Sequence, residues 1–199
     1  MFRRMKPGKA TLAVILVLGA TIGLTLFSKA ARVETSVIEK WVQRYDGPKG
    51  FPNDGERDMA VDSDGNVYVT GYSQGATSGN DYVTIKFDQD GNQLWLQTYN
   101  GPGNAGDTAY GIAVDADHNV YVTGTSNGGG QTVGDYATIK YDSNGNPCWN
   151  FGPRLDGSVE IAARYNGPGS GDDVPYGIAL GSNGNVYVTG YSKGHSCPN

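Results

Sequence analysis

Short runs of alternating apolar and polar residues, separated by glycine, asparagine and aspartate, recur along most of this chain. One ten-residue pattern occurs three times, as DGNVYVTGYS at 64–73, DHNVYVTGTS at 117–126 and NGNVYVTGYS at 183–192. A second pattern, DYVTIKFD at 81–88, returns as DYATIKYD at 135–142. β-Branched and aromatic residues with a period of two, bounded by turn residues, are typical of strands. The pattern therefore predicts an all-β repeat protein.

Each repeat is predicted to contain four antiparallel strands, named a to d in chain order. They are a (Met59–Asp62, Ile112–Asp115, Ile178–Gly181), b (Val67–Ser73, Val120–Ser126, Val186–Ser192), c (Tyr82–Asp88, Tyr136–Asp142) and d (Leu94–Tyr99, and Cys148 to Tyr165 with an insertion). Strings such as Asp-Ser-Asp-Gly-Asn at 62–66 predict tight a–b and c–d hairpins. The longer b–c and d–a loops then lie together at the opposite end of each four-stranded repeat, or blade. That end is the predicted ligand-binding face.

The predicted strands group into blades, but not into a complete ring. The expected segments are an orphan outer strand at 38–47, blade 1 at 54–100, blade 2 at 107–166 with an insertion at 150–161, and a partial blade 3 at 173–199. Eleven strands make about 2.75 blades, whereas propellers close with about 4–8 blades of four strands. We therefore expect an open or truncated arc, as a piece of a longer protein or as one chain of an assembly. Its open blade edges favour self-association.

Five motifs recur in the same order along the chain: GIAVD, NVYVTGYS, DYxTIKYD, GNxxW and YNGPG. Together they resemble the SBBP-type bacterial β-propeller repeat family over roughly residues 38–194. The resemblance implies four-stranded antiparallel blades in an exported protein, and it brings no catalytic residues to transfer. The chain departs from the pattern in its insertion after Trp149, in Gly181 where Asp62 and Asp115 stand, and in the incomplete last repeat.

The N-terminus has the pattern of an export signal. Four basic residues lie within Met1–Lys9, and Ala10–Phe27 then carries no charge. This predicts an apolar helix. The run is longer than the roughly 7–15 residues of a typical cleaved signal and just reaches the roughly 17–25 of a membrane-spanning helix. Residues 1–30 are therefore expected to be a signal peptide or a signal anchor, followed by a linker at 31–37. The blades would be secreted, or anchored to the membrane only through this segment.

Charge argues against two classes of partner. The chain has 15 basic and 20 acidic residues, and five of the basic ones lie in residues 1–30, so the remaining chain has 10 basic residues (15 minus 5) and a net charge of −10. Such a surface repels nucleic acid and anionic membranes. The expected partner is a protein or a glycan that the sequence does not identify.

Repeated carboxylates are the only candidate site that the sequence offers. Three of them precede strand a and two open strand c, all at the long-loop end: Asp54, Asp107, Asp173, Asp81 and Asp135. Asp54, Asp107 and Asp173 offer oxygen ligands suited to calcium. The favoured interpretation is structural, because a loop aspartate also fixes a turn by accepting backbone N–H bonds. We therefore expect no cofactor, with calcium as the weaker alternative.

Catalytic chemistry is sparse in this sequence. Neither His118 nor His195 has a matching nucleophile or metal-ligand spacing around it. Two functions remain. The favoured one is an exported, non-catalytic binding or structural scaffold at the cell surface. The alternative is a fragment of an extracellular propeller enzyme, of lyase or quinoprotein type, whose catalytic blades are missing.

Overall fold

A computed structural model describes residues 2–7, 37–47, 54–128, 134–152, 159–167 and 171–193. The chain divides into two parts, Met1–Gln43 and Arg44–Asn199, which are described separately. In the first part, β1 (Phe2–Pro7) pairs antiparallel with β2 (Val37–Gln43). The apolar helix expected within 10–27 lies outside the described residues. No helix among the residues that are described is long and apolar enough to cross a membrane.

β1 has no counterpart among the predicted strands, because Phe2–Pro7 does not alternate apolar and polar residues. The strand expected within 38–47 is present as β2, and it ends at Gln43. Its observed partner in the first part of the chain is β1.

The second part consists of antiparallel sheets. Blade 1 contains β3 (Gly55–Val61), β4 (Val67–Gln74), β5 (Asn80–Phe87) and β6 (Gln93–Tyr99) in sequential order. Blade 2 contains β7 (Asp107–Val114), β8 (Val120–Ser126), β9 (Asp135–Tyr141) and β10 (Ala162–Tyr165), again in order. Blade 3 contains the pair β11 (Asp173–Leu180) and β12 (Val186–Ser192). The predicted all-β fold with four-stranded antiparallel sheets is confirmed for the described residues.

The first strand of each blade starts earlier than its apolar pattern indicated. In blade 2, β7 begins at Asp107 rather than near Ile112, and its register against β8 shifts between Ala109 and Gly111. One extra residue at that point, Tyr110, breaks the alternation of side chains, as a β-bulge does. Corresponding shifts occur in β3 and β11. The sequence pattern therefore revealed only the regular part of each strand beyond the bulge.

The tight hairpins are built by their first aspartate. Asp62 Oδ1 accepts hydrogen bonds from the backbone N–H of Asp64 and Asn66, at 3.0 and 2.9 Å, and Asp62 Oδ2 accepts one from Asn66 Nδ2 at 2.8 Å. The same three bonds recur in the turns that begin at Asp88, Asp115 and Asp142. These strings resemble the start of a calcium loop, but local hydrogen bonds to the carboxylate define them as turns.

Blades 1 and 2 pack through a core of aromatic and aliphatic side chains. Its buried members come from both sheets: Tyr68, Tyr82, Tyr99, Ala109, Ile112, Val120, Val122, Ala137, Ile139, Tyr141 and Ala162. The first strands of successive blades also contact one another, β3 with β7 and β7 with β11. This stacking of sheets by their faces is the arrangement of propeller blades.

Candidate functional site

All five predicted acids lie at the end of the blades where the long loops leave. In the strand pairings, Asp81 lies opposite Ser73, and Asp107 and Asp135 lie opposite Ser126 on its two sides. Asp173 lies opposite Ser192 in the same way, and Asp54 directly precedes β3. The structure thus brings the five carboxylates to one end of their sheets.

The three acids that precede or begin the first strand of a blade hold the loop before it. Asp54 Oδ2 accepts the N–H of Gly47 at 2.6 Å, Asp107 Oδ2 that of Gly101 at 2.7 Å, and Asp173 Oδ2 that of Gly167 at 2.7 Å. Asp107 Oδ1 accepts a further bond from the N–H of Asn127 at 3.0 Å, and so also fixes the following b–c loop. Bonds of this kind between a carboxylate and backbone amides are charge-assisted and keep the loops in place.

Burial sets the electrostatics of this end. Asp107 is fully buried, and burial raises its pKa, although hydrogen bonds from Ser126, Gly101 and Asn127 oppose the shift. The negative charge of Asp81 raises the pKa of Asp107 further. Burial also raises the pKa of Asp81, against a hydrogen bond from Ser78 that lowers it. The junction between blades 1 and 2 therefore contains two neighbouring carboxyl groups, Asp81 and Asp107, whose burial is only partly balanced by hydrogen bonds.

Asp135 in blade 2 has a cationic partner that the sequence pattern did not predict. Arg164 on β10 reaches Asp135 Oδ2 at 3.0 Å, and both side chains are largely buried. The same guanidinium group bonds to Ser126 and to Tyr99 of blade 1. In the sequence, only the Arg164-Tyr165 pair before Asn-Gly-Pro-Gly indicates this network. The pairing of β9 with β10 is what places Arg164 beside Asp135.

The structure does not gather the predicted calcium ligands around one point. Among the described residues, the one group of three potential metal ligands whose atoms lie within 4.8 Å of one another is Asp62, Asp64 and His118, in the tight hairpins. Asp54, Asp107 and Asp173 each serve a different loop. Calcium binding by them stays a prediction.

His118 connects the hairpins of blades 1 and 2. It occupies a position with φ of 63°, where the other hairpins have glycine, and its Nδ1 lies 3.0 Å from Asp62 Oδ2. Burial raises the pKa of Asp62, but hydrogen bonds from Asn66, His118 and Tyr68 outweigh it and lower the pKa to about 2. Because both carboxylate oxygens of Asp62 already accept hydrogen bonds, the cluster of Asp62, Asp64 and His118 acts as a contact between blades 1 and 2. The sequence feature that indicates this contact is a histidine at a hairpin position that holds glycine in the other hairpins.

Comparison with known proteins agrees with this architecture. The family model described as the SBBP beta-propeller repeat matches the chain at three places, residues 57–80, 98–130 and 163–195. The first match covers most of β3 and all of β4, and the other two cover all of β7 and β8 or all of β11 and β12, together with the loop before the first of those strands. No curated protein matches the chain.

Proposed function

We propose that this chain, which carries three SBBP β-propeller repeat segments, is an exported binding or structural scaffold at the cell surface. The observation that carries this proposal is a hydrogen bond from a loop glycine to an aspartate that recurs in all three blades, at Asp54, Asp107 and Asp173. A repeated sheet end that holds its loops by backbone bonds can present a constant surface to a partner.

The chemistry of the loop end favours binding over catalysis. Asp107 uses both carboxylate oxygens on backbone amides, so its oxygens serve to position the loops. Asp135 is held in an ion pair with Arg164 at 3.0 Å. Groups tied into fixed hydrogen bonds suit a preorganised recognition surface. We propose a protein or a glycan as the partner.

Export is supported by the sequence of residues 1–30. The basic start and the uncharged run Ala10–Phe27 match a segment that enters a membrane with its positive end in the cytoplasm. In that state Phe2–Pro7 and Val37–Gln43 would lie on opposite sides of the membrane, so the proposal requires that β1 separates from β2. The repeats would then lie outside the cell, either released after cleavage or held by the uncleaved segment.

A reporter that is active only outside the cytoplasm, fused to the C-terminus of the full chain, tests export. We expect activity with the native sequence and loss of activity when Leu16→Arg and Leu18→Arg put two charges into the apolar run. Leu94→Arg is the matched control, because Leu94 is an exposed leucine of blade 1. A native fusion that is inactive, or one that tolerates both charges, contradicts the proposal. A product about 3 kDa smaller than the full chain would indicate cleavage.

A further inference from the structure

Blade 2 contains a complete set of acceptors around a guanidinium group. Arg164 Nη1 donates to Ser126 Oγ at 2.8 Å and to the Tyr99 hydroxyl at 3.2 Å. Arg164 Nη2 donates to the Ser126 carbonyl oxygen at 2.7 Å and to Asp135 Oδ2 at 3.0 Å. The planar fork of the guanidinium group thus meets two hydroxyls, a carbonyl and a carboxylate at once, which a compact ammonium group cannot do as well.

Blade 1 repeats these acceptors at corresponding positions. Ser73 lies opposite Asp81 between β4 and β5, as Ser126 lies opposite Asp135 between β8 and β9. Tyr45 corresponds to Tyr99, since each precedes a Gly-Pro pair by two residues. The chain after each tyrosine approaches the serine in the same way, because a Cβ at Gly47 would clash with Ser73 Oγ as one at Gly101 would with Ser126 Oγ. Burial raises the pKa of Tyr45, and the neighbouring Ser73 side chain opposes that shift.

The arginine itself has no counterpart in blade 1. Arg164 pairs with Ala137 across β10 and β9, and the residue in the same place on β6 is Thr98, which pairs with Val83. Thr98 is uncharged and exposed to solvent. Blade 1 therefore keeps the acceptors, while its own sequence supplies no cation from this position.

Two acceptors of blade 1 are left without partners. Ser73 is 3% exposed, and its buried Oγ has no partner within hydrogen-bond distance and angle, although the Tyr45 side chain is its near neighbour. Asp81 Oδ1 is also buried without a partner, as Asp135 Oδ1 is in blade 2. The two blades differ at the second oxygen, because Asp81 Oδ2 accepts a bond from Ser78 Oγ at 2.9 Å whereas Asp135 Oδ2 accepts one from Arg164. Unpaired buried acceptors are costly, and a neutral hydroxyl does not balance the charge of a carboxylate.

We propose that Ser73, Asp81 and Tyr45 form a binding site for a guanidinium group, the arginine side chain of a protein partner that docks at the loop end. The partner would complete in blade 1 the network that Arg164 completes in blade 2. This inference rests on the proposed binding role of the loop end. The net charge of −10 outside residues 1–30 also favours a basic partner.

Amide chemical shifts of the ¹⁵N-labelled full chain in a neutral detergent, titrated with the peptide acetyl-Gly-Arg-Gly-amide, test the proposal. We expect saturable shifts at Ser73 and Asp81, and at least about fivefold weaker binding of the lysine peptide, because the fork is lost. Asp81→Asn should abolish the response. Asp117→Asn is the matched control, since it removes one negative charge from an exposed hairpin at the opposite end.

A second variant tests the site without removing its acid. Thr98→Arg together with Val83→Ala gives blade 1 the pair found in blade 2 and should fill the site from within, so that the peptide no longer binds. Absence of saturable shifts in the native chain, equal binding of the lysine peptide, or undiminished binding by the double variant would each overturn the proposal. Equal shifts with calcium chloride at the same amides would assign the site to a metal ion instead. If the chain is exported but shows no saturable shifts with the arginine peptide, this inference is wrong and the proposed function stands.

Discussion

The heptapeptide Val-Tyr-Val-Thr-Gly-Tyr-Ser occurs twice in this protein, as Val67–Ser73 in β4 and as Val186–Ser192 in β12. Both copies form the second strand of a blade and pair antiparallel with the strand before them. Their surroundings differ, because Tyr68 is 0% exposed whereas Tyr187 is 55% exposed. Identical residues thus form the same strand in both places, and their neighbours determine whether the strand belongs to a core.

The neighbours of β4 are specific side chains. Trp95 of β6 packs against Tyr68 with ring centroids 6.1 Å apart, and Lys86 of β5 lies 5.1 Å from the centre of the Tyr68 ring. In the described part of the chain, β12 pairs with β11 and with no third strand. The unpaired edge of β12 is the basis for the expected self-association, which stays a prediction.

Replacing the second residue of the heptapeptide, Tyr68 or Tyr187, by alanine should give the largest difference between the two copies in the free energy of unfolding. Tyr68→Ala removes a fully buried ring and its hydroxyl bond to Asp62 (2.9 Å), and should lower the free energy of unfolding by about 3–5 kcal/mol. Tyr187→Ala removes an exposed ring and should cost less than about 1 kcal/mol. Urea unfolding of both variants, followed by tryptophan fluorescence, measures this difference. Equal losses would mean that β12 is covered in solution.

Replacing the fourth residue of the heptapeptide, Thr70 or Thr189, by valine should give a smaller difference in the free energy of unfolding. Thr70 is buried, and its Oγ1 contacts the Val83 carbonyl oxygen at 3.0 Å and Thr84 Oγ1 at 3.1 Å. Thr70→Val keeps the shape and removes these bonds, so we expect a loss of about 1 kcal/mol. Thr189→Val changes an exposed position and should stay within about 0.5 kcal/mol. The same unfolding assay decides, and a neutral Thr70→Val would show that the threonine ladder adds nothing to β4.

The smallest effect concerns the hairpins before the two strands. Gly181 stands where the other hairpins have aspartate, so Gly181→Asp should add bonds to nearby backbone amides and stabilise the chain by about 0.5 kcal/mol. Hydrogen bonds to the carboxylate hold the pKa of Asp142, in an equivalent turn, below its ordinary value. A group with a lowered folded pKa stabilises fully above its unfolded pKa of about 4, and the gain is lost as the pH falls below it.

Thermal melts at pH 7 and pH 3 measure this gain. Gly181→Asn is the control, because its amide oxygen accepts the same backbone bonds and does not titrate. A Gly181→Asp gain that persists undiminished at pH 3 would contradict the carboxylate mechanism.

The sequence predicted the parts of the fold that depend on near neighbours. The hairpin at Asp62 could be predicted because its aspartate bonds to residues two and four positions later. The end of the blades that carries the acids followed from the alternation of short and long loops. The bulge at Tyr110 was missed, since one extra residue leaves no regular pattern to recognise.

Contacts between distant segments could not be predicted in the same way. Arg164 reaches residues 29 and 38 positions earlier, and His118 meets Asp62 across 56 positions. Neither pair shares a local pattern, because each forms only when two sheets or two strands pack together.

For this protein, the sequence by itself determined the regular parts of the blade strands and their tight hairpins, through side-chain alternation and hydrogen bonds within a few residues. Only the tertiary structure decided which strands are buried and which acids have cationic partners. The free energy of burial comes from area removed by other segments, so the same seven residues form a core in β4 and a surface in β12. Likewise, Asp135 and Asp81 occupy equivalent positions, and the strand packed beside each decides whether an arginine reaches it.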